Sequence, residues 1–156
     1  TLRIGVERLI KEALESNLRL AIATTTSLKN VEALMESTLG KSALEYFEVV
    51  AAGDIVNKKK PAPDIYQYAL DQLHLSCDDC VAFEDSQIGF HAAISAGLKT
   101  VVTLSEYTKT NNFEGALVVL DHLGEEDKPF QIINGTPSDY SMASVDYIKE
   151  LYERNR

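Results

Sequence analysis

One stretch limits what this chain can fold into. Val81, Ala82 and Phe83 run straight into two adjacent acids, Glu84 and Asp85. Ser86, Gly89 and an alanine-rich segment follow. An apolar run that ends this way reads as a strand carrying two carboxylates to its C-terminal tip, where open α/β sheets bind ligands. Side-by-side carboxylates repel unless a cation lies between them. A hard divalent ion such as Mg²⁺ suits the position, because it takes oxygen ligands and keeps several of its waters. The same residues also suit an acidic turn that caps a helix, with Asp85 or Ser86 as N-cap and Glu84 near the positive helix end.

Two further segments share the pattern. Leu20, Ala21, Ile22 and Ala23 form a run typical of a buried parallel strand. It ends in four hydroxyl residues, Thr24, Thr25, Thr26 and Ser27, and a helical pattern opens near Asn30. Hydroxyls and free backbone N–H groups at such a junction fit a phosphate-sized anion. A plain Ser27 or Thr26 N-cap fits as well. In the second segment Lys58, Lys59 and Lys60 precede Pro61-Ala62-Pro63, and a helix is expected from about Asp64. A residue before proline is held in extended backbone, so the Lys60 ammonium is aimed, and Lys suits phosphate as a point charge. Lys58 and Lys59 read as a solvated basic loop.

Elsewhere apolar periodicity predicts alternating elements. Helical stripes run through Val6, Leu9, Ile10, Ala13 and Leu14, and through Val31, Leu34 and Met35 up to Gly40. A third passes through Ile65, Ala69, Leu70 and Leu73, and a fourth covers residues 86–96 and stops at Gly97. Strands are expected over residues 18–24, 47–51, 80–83, 100–104 and, as the last one, 117–120. The tail from Ser144 to Tyr152 reads as a helix with Val145, Ile148 and Leu151 on one face. This alternation predicts an α/β fold, a Rossmann-like parallel sheet with helices on both faces.

The three tip segments, in this order, resemble the haloacid dehalogenase superfamily of phosphohydrolases, in its CbbY and β-phosphoglucomutase-like branch. The resemblance rests on residues 21–27, on Gly53-Asp54 through Lys60-Pro61-Ala62-Pro63-Asp64-Ile65-Tyr66, and on Phe83-Glu84-Asp85-Ser86 with Gly89 and Ala96-Gly97. It implies that the Thr24 hydroxyl bonds the transferring phosphoryl group and that Lys60 neutralises charge on the nucleophile and the phosphoryl oxygens. Glu84 and Asp85 would hold Mg²⁺, and Thr25 and Ser86 would join the phosphate-binding set. The substrate implied is a small phosphorylated molecule, a sugar phosphate such as a pentulose bisphosphate. Phosphoryl transfer of the β-phosphoglucomutase type, or a non-catalytic binding module of the same fold, are the alternatives.

Members of that superfamily begin on an Asp-x-Asp strand, whose first Asp is the nucleophile and whose second is the general acid and base. These 156 residues contain no Asp-x-Asp, and Asp78-Asp79 are adjacent. The expectation is therefore an incomplete core over residues 1–124 with a C-terminal extension over 125–156. The nucleophile strand, and the inserted helical cap, would belong to an N-terminal segment of the same protein. That strand would lie between the strands ending at Thr24 and Phe83, and the 156 residues alone would be inactive.

The formal charge of −9 argues against nucleic acid and anionic membrane as partners. No apolar run approaches the roughly 18 residues of a membrane span, and no signal peptide is visible. A cytoplasmic or plastid stromal location is expected. Cys77 and Cys80 form a Cys-x-x-Cys. A redox pair needs nearby positive charge to lower a thiol pKa, and Asp78 and Asp79 between them work the other way.

Overall fold

The computed structural model describes residues 1–108 and 111–156. Helix α1 (Val6–Glu15) leads into strand β1 (Ala21–Thr24), then α2 (Leu28–Leu39), which stops at Gly40. β2 (Val49–Ala52), α3 (Asp64–Leu73), β3 (Val81–Glu84), α4 (Gln87–Ser95) and β4 (Lys99–Thr103) follow. β5 (Val118–Leu120), β6 (Ile132–Asn134) and α5 (Val145–Arg154) complete the order. The helix–strand alternation follows the apolar periodicity. β1, β2 and β5 are shorter than the strands expected there, and β3 and β4 keep the expected length but shift by one residue, because ladder pairing and not hydrophobicity sets their ends.

The strands fall into two sheets. β1 pairs in parallel with β2, Ala21 opposite Val49 and Thr24 opposite Ala52. The other sheet runs β3-β4-β5-β6, with Val81 opposite Lys99 and Val101 opposite Val118 in its parallel part. β6 is antiparallel to β5, so β5 is not the last strand, and the sheet is parallel only up to that point. Among the described residues no ladder joins β1 to β3. The break falls where the family resemblance implies a further strand.

Helices cover both faces. α3 and α4 share one apolar cluster with both sheets: Ala51 of β2, Ile65, Tyr66 and Ala69 of α3, Ala82 of β3, and Ala92 and Ala93 of α4. α2 covers the other side of the small sheet through Val31 and Met35 against Ile22 and Val50. Alternation along β4 divides its fully buried valines. Val102 packs with Phe90 of α4 and Val101 with Tyr147 and Leu151 of α5. The layers are therefore helix, sheet, helix, with α1 and α5 together on the far face of the large sheet.

Polar ties close that far face. The Arg8 guanidinium donates to the carbonyls of Leu123 and Gly124 and reaches that of Ala143 at 3.4 Å. Glu12 accepts from Arg8 at 3.0 Å and from the Val145 N–H at 2.8 Å. Gly5, at φ 86°, packs so closely on the turn at Leu123 and Gly124 that a Cβ there would lie 2.6 Å from the Gly124 carbonyl. The boundary expected after residue 124 is thus crossed by α1, by β6 and by the core.

Candidate active site

The chain places three loops at the C-terminal ends of the strands. After β1, the Thr24 hydroxyl accepts from the Thr26 N–H at 3.1 Å, and Ser27 caps α2 by accepting from the Asn30 N–H. Thr25 and Thr26 are exposed. After β3, Ser86 caps α4 by accepting from the Gly89 N–H at 3.1 Å. Ser27 and Ser86 therefore both act as N-caps, as one reading of the sequence allowed, and a hydroxyl with an accepting bond still has an O–H to give.

Of the three lysines only Lys60 turns inward. Its peptide bond to Pro61 is cis. Its side chain is 9% exposed, and the ammonium donates to the Ala23 carbonyl at 3.1 Å and to Glu84 Oε1 at 2.6 Å. One cation thus joins the residue before Thr24, in one sheet, to the tip of β3 in the other. Lys59 instead pairs with exposed Asp54 at 2.6 Å, holding that carboxyl below its usual range by hydrogen bond and charge, and donates to the Gly53 carbonyl. Lys58 is exposed.

The two acids of β3 and its tip have separate surroundings. Alternation turns Glu84 inward, where its side chain is 7% exposed and the same Oε1 also accepts from the Tyr66 hydroxyl. A buried carboxylate is tolerated only when paired and hydrogen-bonded. Lys60 supplies the charge and Tyr66 the second donor. Asp85, one residue on, turns to solvent with a side chain 58% exposed, and Arg3 approaches it at 3.9 Å. Arg3 also bonds the Thr103 hydroxyl at 2.7 Å and the carbonyls of Leu104 and Asp121, which ties the tips of β4 and β5 to the same rim.

The donor set suits Mg²⁺. Among the described residues no group of three His, Cys, Asp or Glu could form a closed cage. Mg²⁺ does not need one, since it is usually held by one or two carboxylates with waters and substrate phosphate. Asp85 presents an open carboxylate, whereas Glu84, expected to share the ion, is turned inward onto Lys60 and Tyr66.

Tyr66 and Arg3 belong to this site, although the sequence assigned neither a role: Tyr66 only closes the segment that carries the resemblance. Tyr66 looks like one more apolar residue in the first turn of a helix, and Arg3 sits outside any motif. The cysteines stay outside it. Both are free thiols, and burial, with Asp79 adding, pushes the Cys80 thiol up against the opposing pull of Arg19.

Residues 1–103 match the family model described as haloacid dehalogenase-like hydrolase. The chain is 49% identical over 124 residues to protein CbbY of Cereibacter sphaeroides, an alignment that covers 80% of this chain and 54% of that protein. It is 38% identical over 97 residues to a phosphorylated carbohydrates phosphatase of Thermotoga maritima, covering 59% of this chain and 43% of that one. Among solved structures, a variant of CbbY from Rhodobacter sphaeroides in complex with xylulose-(1,5)bisphosphate superposes with a TM-score of 0.75 at 50% identity. That match covers 78% of this chain and 54% of the other. The chain spans about half the length of the curated relatives it matches.

Proposed function

Because the chain belongs to the haloacid dehalogenase-like hydrolases, we propose that it forms the phosphate- and metal-binding half of a Mg²⁺-dependent sugar-phosphate phosphatase. The observation that carries this is the buried Lys60 ammonium, held between the Ala23 carbonyl and Glu84 at the strand tips. Three N–H groups are available on an ammonium, so two tethers leave one for a phosphoryl oxygen. The substrate class follows from the relatives, one bound to a pentulose bisphosphate and another a carbohydrate phosphatase.

In this reading Asp85 would hold Mg²⁺, with Glu84 adjacent in sequence, and the ion would supply positive charge to a bound phosphoryl group. Lys60 adds a second positive charge, and the Thr24 hydroxyl donates to the same group, with Thr25 and Ser86 at its edge. Together they stabilise the charge that spreads over the equatorial oxygens in the transition state. A carboxylate attacks phosphorus, the bond to the sugar oxygen breaks, and that oxygen leaves with a proton from the general acid of the same Asp-x-Asp strand. Water then hydrolyses the aspartyl-phosphate. The attacking aspartate is assigned to sequence outside these 156 residues, in a strand seated between β1 and β3.

The test is steady-state release of phosphate from pentulose bisphosphates and hexose phosphates by the full-length protein with Mg²⁺. Lys60→Ala is expected to lower kcat by at least about a hundredfold and to raise KM far less, because its charge matters most as the acyl phosphate forms. An unchanged kcat with a raised KM overturns this role.

A further inference from the structure

The Glu84 carboxylate is enclosed by three elements. Oε1 takes the Lys60 ammonium at 2.6 Å and the Tyr66 hydroxyl from α3. Against Oε2 stands Gly89 of α4, where a Cβ would lie 2.0 Å away. Tyr66 is itself 9% exposed and packed among Ile65, Ala69 and Ala82 in the cluster that joins the two sheets. The Lys60 ammonium also lies 5.1 Å from the centroid of the Tyr66 ring. One side chain therefore touches both members of the buried ion pair, and the reaction described above makes no use of it.

We propose that Tyr66 is a positioning residue that acts through Glu84 to fix where the Lys60 ammonium stands at the strand tips. The proposal rests on the phosphatase reading for its kinetic consequence, and on geometry alone for its structural one. A lysine side chain has four rotatable bonds and no preferred direction of its own. Its position comes from its acceptors. The Ala23 carbonyl is fixed by β1, whereas a Glu side chain is flexible and needs a second restraint. Tyr66 supplies that restraint from a rigid ring with only two torsions. Burial, and then the charge of Glu84, push the phenol pKa well up, so the hydroxyl stays a donor throughout the working range.

Two measurements on the full-length protein test this. In Tyr66→Phe the ring and its packing remain and only the donor is lost. A bond to a charged acceptor of this kind corresponds to a fall in kcat of about tenfold, with KM held within about twofold. Independently of activity, Lys60 acetylation by acetic anhydride, followed by mass spectrometry, should accelerate about threefold or more in Tyr66→Phe, as the side chain leaves its tethers and its neutral amine form meets the reagent more often. In a Glu84→Gln background the same substitution should add no further acceleration. An unchanged kcat, an unchanged labelling rate, or an undiminished effect without Glu84 overturns the proposal. So does a Tyr66→Phe protein that no longer unfolds cooperatively, since the hydroxyl would then be a stability device. A wild-type protein that releases no phosphate from any sugar phosphate refutes the phosphatase reading, while the labelling comparison still decides on Tyr66.

Discussion

A methyl group at position 89 would lie 2.0 Å from Glu84 Oε2 and 2.4 Å from the carboxyl carbon. The backbone there is ordinary helix, so glycine is required for room and not for conformational freedom. Alanine is the better helix former by about 0.5–1 kcal/mol, yet it must displace a carboxylate that Lys60 and Tyr66 hold. Gly89→Ala should therefore divide stability from function. The expected result is a thermal midpoint within a few degrees of wild type and a kcat lowered by about ten- to a hundredfold, the scale of a misplaced catalytic group. Calorimetry and phosphate release on one preparation check it, and an unchanged kcat would show that Glu84 can move at no cost. At this scale the sequence marked Lys60 and the acids, because proline direction and adjacent charges are local signals. Tyr66 closes the Lys60 segment, yet nothing local signals its role. Its role depends on α3 lying against β3, which no short window of sequence records.

Secondary structure was legible where the signal was periodic or chemical. The stripes through α1, α2 and α3 fixed those helices, and Ser27, Ser86 and Ser144 stand as N-caps with accepting side chains. β6 was not legible. Ile132, Ile133 and Asn134 are too few to alternate, and they become a strand only because β5 offers a free edge. The caps also permit a test away from the site. Ser144 accepts from the Tyr147 N–H at 3.1 Å and opens α5. Ser144→Ala should cost about 1 kcal/mol, which lowers the midpoint of a chain this size by about 2–4 °C. Circular dichroism on heating measures this, with catalysis unchanged as the control. No shift would mean that Asp146 and the packed face suffice to start the helix.

Across the whole molecule the far face of the large sheet decides whether residues 125–156 are an appendage. Val101, Val118, Leu120 and Leu123 form one side of a cluster whose other side is Phe130, Ala143, Tyr147 and Leu151. Fully burying a side chain of this kind contributes about 1.5–3 kcal/mol. Exposing four of them approaches a typical domain's entire stability of about 5–15 kcal/mol. Shortening the chain also removes the Ala143 carbonyl from Arg8, the Val145 N–H from Glu12, and the antiparallel neighbour of β5. The site is touched indirectly, since β4 and β5 set the loop tips that Arg3 ties beside Asp85. Ending the protein after Gly124 should therefore abolish the cooperative thermal transition and expose apolar surface that binds a fluorescent dye such as ANS. If the shortened protein unfolds sharply within a few degrees of the original and keeps its Mg²⁺-dependent activity, residues 125–156 are a separable extension. The shared core would then contribute far less than its burial implies.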